Sequence, residues 1–516
     1  MTPQPTKPSP PAAPDAANTR PLWLLLALAA VVPLTATVIL YRANVPLGCP
    51  GRFVYLYSPV VTWRLQSLVA IVMIAPVLAA SVWLAAGSTA GRRRLGLTLA
   101  VLGTMALATW SYFAPPEHIK QHIFNAHSPS HDGAFVQEAL RADRAGAYVR
   151  EFPQRARASI EEMRGTRVVS NPPGATLLAM ALRHGLAVWP GAGAFASSGM
   201  REVTFEVLRP SVELGFVFFW ALTALWAASS MALYAVGRQF FAPSSALTYA
   251  LCCTFSPMTV FFTPGKDPAQ LLTVAVPLAL WLIAARHGLA TLAVAAGVTF
   301  TLACLASLVH VWVAAIVLSA TLFAMRQWIE LRAVLLKGVL PAAAGIVATG
   351  FGVWVFWGLD LIATFRAVAE SQAAVTRGPD AMPYVWQMLG VPLFLLFAGP
   401  ALWSVALWWG GRSTTLEPAR DRESRFGRLL LIGSGLVMLG TVGFTNLETP
   451  RLWIPFVPLL LLGGFLQFRG LRRPSRRAAV LLAGLVLAQV VVTAAQWSLM
   501  DPRESENRLL SEEFFG

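Results

Sequence analysis

Three short stretches of this chain carry side chains that could do chemistry. The first is His127-Ser-Pro-Ser-His-Asp-Gly-Ala-Phe135, which sets Asp132 among His118, His122, His127 and His131. The second is Lys266-Asp267 within Thr263-Pro-Gly-Lys-Asp-Pro268, and the third is Glu448-Thr-Pro-Arg451. Asn171-Pro-Pro-Gly174 closes the segment that Asp132 opens. A carboxylate at a loop-to-helix junction can take a proton from a polar group arriving from water. A lysine and an arginine at the ends of apolar runs can neutralise a phosphate held at a membrane boundary. Asp267 and Glu448 could orient those cations, bind hydroxyl groups or hold a divalent ion, the one cofactor these residues would call for.

Each of these residues also has a plainer use. Asp132 could simply cap a helix, and Lys266 and Arg451 could anchor their helices by snorkelling to the headgroups. His118 and His122 stand four apart but lack the glutamate of HExxH, so no zinc site is expected. His310, at a span boundary, reads as a satisfied polar group between helices. Of the four cysteines, Cys49 lies in a short loop and Cys252, Cys253 and Cys304 fall in apolar runs, with neither CxxC nor Cys/His metal spacing.

The elements that must position these residues are membrane helices. The chain has 516 residues, 56% hydrophobic and 13% charged, against the roughly 25% charge of a soluble domain. Its formal net charge of +15 is distributed in short runs between apolar segments, the way topology signals are written, which argues against a nucleic-acid partner. About thirteen apolar runs are long enough to cross a bilayer, from 22–41 to 478–497, with 212–236, 245–262, 269–285, 310–325, 385–409 and 453–468 flanking the chemistry-bearing stretches. The expected fold is all-α: a polytopic membrane protein of about 13 transmembrane helices, with amphipathic juxtamembrane helices in a large outer loop. Residues 1–20 read as a disordered cytoplasmic tail, 21–112 as N-terminal transmembrane helices, 113–210 as the outer loop, 211–497 as the transmembrane core and 498–516 as a C-terminal tail.

With the N-terminus cytoplasmic, the cation clusters Gly91-Arg-Arg-Arg94, Arg238, Arg286, Arg326 to Lys337, Arg412 to Arg428 and Arg469 to Arg477 share the inner side. The three chemistry-bearing stretches then share the outer side. Within the loop, Asp132 or Ser130 should cap a helix whose apolar positions are Phe135, Val136, Ala139 and Leu140. A second short helix is expected from Arg155 to Arg164. Asn171 should cap a third, with Pro172 and Pro173 in its first turn, running to about Trp189. Arg183 and His184 leave open whether that last helix crosses the membrane.

In their order these stretches resemble the GT-C superfamily of integral-membrane glycosyltransferases, of the type using dolichyl-phosphate-mannose or an aminoarabinose lipid. Asp132-Gly-Ala-Phe135 is similar to the acidic motif of that family's first large outer loop. Asn171-Pro-Pro-Gly174 looks like its His-Pro-Pro element, with Asn in place of His. Leu208-Arg-Pro-Ser211, leading through a span to Tyr234-Ala-Val-Gly-Arg-Gln-Phe-Phe241, resembles the second family helix and its basic turn. Ser256-Pro257 and Phe261-Phe-Thr-Pro-Gly-Lys-Asp267 resemble the second outer loop, and Glu448-Thr-Pro-Arg-Leu-Trp-Ile-Pro455 the Glu/Arg element before a late span. Gly133 stands where a second acid is usual, which leaves a single carboxylate there.

The resemblance implies an inverting transfer of sugar from a polyprenyl-phosphate donor to a hydroxyl of a lipid, glycan or protein acceptor, at the outer face of a bacterial plasma membrane. Asp132 would be the general base. Lys266, Asp267, Arg451, Glu448, His131, His127 and Asn171 would bind the donor's phosphate or sugar. The competing readings are a multi-span secondary transporter, a flippase for lipid-linked glycans, and a scaffolding protein of envelope assembly. Transporters are commonly built from two similar halves; here the halves differ, and the polar residues gather at one surface.

Overall fold

The computed structural model describes residues 20–45, 47–49, 53–57, 68–113, 132–157, 166–189, 191, 209–325, 328–377, 387–412, 421–444, 449–468, 471–472 and 474–501. The described residues are all-α apart from one small ribbon of strands. The chain opens with α1 (Arg20–Arg42), β1 (Leu47–Cys49) and β2 (Phe53–Tyr57). A hairpin of helices follows, α2 (Ala75–Ala85) and α3 (Ala90–Phe113). The loop segment contributes α4 (Gly133–Arg141), α5 (Ala145–Arg155), α6 (Thr166–Val169) and α7 (Gly174–Val188). Next come α8 (Arg209–Arg238), α9 (Pro243–Thr254), α10 (Pro257–Phe261), α11 (Lys266–His287), α12 (Ala290–Ala306) and α13 (Val309–Ala324). After them run α14 (Trp328–Val334), α15 (Leu340–Trp357), α16 (Leu361–Arg377), α17 (Gly390–Leu396) and α18 (Gly399–Arg412). The chain finishes with α19 (Arg422–Thr441), α20 (Thr449–Leu452), α21 (Val457–Phe465), α22 (Arg476–Leu499) and β3 (Met500–Asp501). β2 pairs antiparallel with both β1 and β3, tying the far ends of α1 and α22 together.

Among the described residues six helices are long and apolar enough to cross a membrane, and seven if the bent pair Gly390–Leu396 and Gly399–Leu407 counts as one span. The multi-pass membrane character holds, while length and composition support fewer crossings than the expected thirteen. The physical reason is helix shortness. α12 and α13, of 17 and 16 residues, reach about 24–26 Å at 1.5 Å per residue, short of a hydrocarbon layer of about 30 Å. α7 has 15 residues and reaches about 22 Å. Its Arg183 turns to α4, donating to the carbonyls of Ala139 (2.6 Å) and Leu140 (3.2 Å).

Two apolar runs break. The expected run 245–262 divides into α9 and α10 at Phe255 and Ser256, and α17 meets α18 at 106°. Breaks in apolar surroundings persist only where the freed backbone groups find partners. α22 supplies them: Gln489 donates to the Phe255 carbonyl (3.2 Å) and accepts the Ala401 amide (3.0 Å), and Thr493 also donates to Phe255 (2.9 Å). Gln496 donates to the Leu396 carbonyl (3.0 Å), and the Met258 amide reaches the Phe397 carbonyl (3.3 Å).

Two apolar cores result. The larger lies among the long helices, with Trp226, Tyr249, Phe255, Phe397 and Phe456 fully buried. The smaller joins the loop segment to α8, packing Phe135, Val136, Phe152 and Val169 against Phe218 and Phe219, with Leu359 and Ala367 beside them. α4–α7 are therefore docked on the bundle through their own core. The ion pair Arg155–Glu138 fastens α5 to α4.

Candidate functional site

The site forms where the start of α4 meets the start of α11. The residue before α11 is Gly265, and a Cβ there would lie 2.5 Å from the Phe262 carbonyl and 3.3 Å from Asp132 Oδ2. Its bare backbone lets Asp132 approach, and the Lys266 amide donates to Asp132 Oδ2 at 2.6 Å. Asp132 stands at the N-cap position of α4, yet its side chain makes no capping bond. Oδ1 pairs instead with the Arg167 guanidinium, from α6. The plain-cap reading of Asp132 therefore fails: the carboxylate joins three segments.

Asn171 corrects the expectation in a similar way. It does not cap α7, because a residue before proline is biased away from helical backbone and two prolines follow; α7 begins at Gly174, with Pro173 at the N-cap. The freed Asn171 side chain accepts from Lys266 Nζ through Oδ1 and donates to the Arg167 carbonyl (2.7 Å) through Nδ2. A helix that was not expected runs over Ala145–Arg155, while most of the one expected from Arg155 to Arg164 lies outside the described residues. Gly174 seats α7 against the end of α12, where a Cβ would come within 2.5 Å of the Leu305 carbonyl.

Lys266 Nζ lies 3.7 Å from Asp267 Oδ1 and 5.8 Å from the centre of the Phe135 ring. Asp267 Oδ2 is 3.1 Å from Arg451 Nε, and Gln270 Nε2 donates to Oδ1 at 2.7 Å. One turn deeper, Thr273 Oγ1 meets His310 Nε2 at 2.8 Å while His310 Nδ1 lies 2.8 Å from the Ser307 carbonyl. His310 is thus the buried, partnered interhelical group its position implied. The acidic and basic side chains run Arg167, Asp132, Lys266, Asp267, Arg451, each at most 14% exposed. Among the described residues, three cations here meet two carboxylates.

Burial alone would push the Asp132 carboxyl up. The Arg167 and Lys266 cations and the Lys266 amide outweigh that effect, so it stays below the usual carboxylate range. Asp132 is consequently ionised at neutral pH and held in a fixed direction.

Of the expected site residues, the structure brings together Asp132, Lys266, Asp267, Arg451 and Asn171. His127, His131 and Glu448, with His118 and His122, lie outside the described residues. Among the described residues, no group of three or more His, Cys, Asp or Glu side chains gathers as a metal site would need. Cys252, Cys253 and Cys304 are buried free thiols. Sequence reasoning missed Arg167 and Gln270. Nothing marks Arg167 among the arginines of its loop, whereas Gln270 carries a signal: a lone amide in an apolar run, one turn after an aspartate.

No known family model matches the chain, and a search of curated proteins likewise finds no match.

Proposed function

We propose that the protein is a membrane glycosyltransferase that moves a sugar from a polyprenyl-phosphate donor to an acceptor hydroxyl outside the cytoplasm. The observation that supports this reading best is the convergence of Arg167, Asp132, Lys266, Asp267 and Arg451 from four segments, with three cations and two carboxylates among the described residues. Buried cations that outnumber the carboxylates described beside them suit a phosphate group. They would be costly to maintain for structure alone, since a buried ion pair scarcely repays its desolvation.

In this reaction the acceptor oxygen attacks the anomeric carbon and its proton passes to Asp132. The bond from that carbon to the phosphate oxygen breaks, and the departing polyprenyl phosphate is neutralised by Lys266 and Arg451. Arg167 covers Asp132 Oδ1, so the base is released to the acceptor as the guanidinium turns toward the donor phosphate. Asp267 holds Lys266 and Arg451 in place. The cluster faces outward from a bacterial plasma membrane, with the N-terminus cytoplasmic. Resemblance to the GT-C superfamily rests on the order of motifs alone.

The test is incubation of the purified chain with radiolabelled polyprenyl-phosphate sugars. Asp132→Asn should abolish transfer while retaining donor binding; transfer by the variant at the parent rate would sink the assignment. The broken pairs α9/α10 and α17/α18, stapled by Gln489, favour a second reading, a transporter or glycan flippase, because discontinuous helices line many transport sites. That reading is distinguished by movement of lipid-linked sugar across proteoliposomes with no transferred product, undisturbed by Asp132→Asn.

A further inference from the structure

α11 carries Lys266 and Asp267 at one end and Arg286 at the other, about 28 Å away along the helix axis. At that far end, where α8, α11, α13 and α19 converge, lies a cavity of about 230 Å³. Arg286 and Arg422 stand on it from two different helices, and both are exposed. Neither has a carboxylate partner among the described residues. The cavity's one carboxylate, Glu423, is already engaged by Arg472 Nη1 at 3.0 Å, and Asp421 beside it by Arg472 Nη2 at 3.2 Å. With Arg472 shared between those two carboxylates, the described groups number three guanidinium groups to two carboxylates, a surplus of one positive charge. The wall between them is apolar: Phe240 and Phe426 stack with ring centres 5.9 Å apart, next to Leu282.

Arginines that merely snorkel need no hollow beneath them. Here two, far apart in sequence, share a concavity floored by aromatic carbon. Its volume falls below the roughly 300–1,000 Å³ of a drug-sized pocket, enough for a headgroup and too small for a whole lipid. Guanidinium groups bind phosphate oxygens with geometric preference. We propose that this cavity binds the phosphate of an anionic phospholipid from the adjoining leaflet, with Arg286 and Arg422 as its ligands and the Phe240–Phe426 pair against the glycerol. The site is independent of the transfer reaction proposed above and would stand if that reaction were disproved.

The test uses the purified full chain, stripped of lipid, and native mass spectrometry with dioctanoyl phosphatidylglycerol as probe. One bound lipid is expected, and R286Q/R422Q should weaken it about tenfold or more. Ala285→Trp, which fills the cavity without touching either charge, should do the same. Arg92→Gln, an exposed arginine in a different turn, should leave binding unchanged. Equal loss with Arg92→Gln would reduce the effect to general surface charge, and unchanged binding in both cavity variants would place the lipid elsewhere; either overturns the proposal. So would equal retention of dioctanoylglycerol, which lacks the phosphate, or displacement of the lipid by inorganic phosphate at matched concentration.

Discussion

Asp132 is held by two different kinds of donor, a guanidinium on Oδ1 and a backbone amide on Oδ2. The balance between them and burial governs when it ionises. In Arg167→Gln the largest cationic offset to burial is gone, so the acid limb of the activity profile should move to higher pH. A pH profile of sugar transfer for the variant and its parent measures this; coincident limbs would show that Arg167 does not tune the carboxylate. The same ionisation bears on stability. Because the folded carboxyl lies below its unfolded value of about 4, its contribution is fully present above that value and is lost as pH falls through the lower folded one. Protection of the α4 amides, taken relative to their intrinsic exchange rate at each pH, should therefore hold down to about pH 4 and fall only below it. Loss of that protection between about pH 7 and pH 5 would contradict the assignment.

At the scale of elements, close approach of backbones matters as much as charge. α15 is largely exposed, with Phe351, Trp354 and Phe356 outward, and it is held against α12 through two glycines. A Cβ on Gly345 would fall 2.3 Å from the Val294 carbonyl, and one on Gly297 2.0 Å from that of Ala342. Small residues allow this contact between helices in lipid, where no hydrophobic force drives them together. Gly345→Ala should cost about 1–3 kcal/mol, read from detergent-unfolding midpoints. Gly352→Ala, where an added Cβ meets nothing within 4 Å, should not destabilise, as alanine is the better helix former. Equal loss in both variants would locate the effect in helix propensity rather than in packing.

For the molecule as a whole, the arrangement puts the Asp132 cluster and the Arg286 cavity at opposite ends of one bundle. With Cys49 replaced by Ser, the buried Cys252, Cys253 and Cys304 should stay silent toward a membrane-impermeant maleimide. Asp360→Cys, exposed next to α16, should then be labelled in intact cells, and His287→Cys, exposed at the end of α11, only after permeabilisation. The reverse pattern would invert the proposed orientation and put the acid cluster in the cytoplasm.

The sequence alone determined that the chain lives in a membrane, because runs of apolar side chains leave few other environments, and where its cations separate those runs. It also marked Asp132, Lys266, Asp267 and Arg451, since an ionised group beside an apolar run is conspicuous whatever its partner. Only the tertiary structure decided that these four meet, that Arg167 joins them, and that Asn171 serves Lys266 rather than α7. Those contacts link residues from 35 to 184 positions apart, and they depend on glycines at 174 and 265 whose bare backbones allow α12 and Asp132 to come close. Local periodicity records which face of a helix is greasy; it does not record which distant carboxylate arrives at its end.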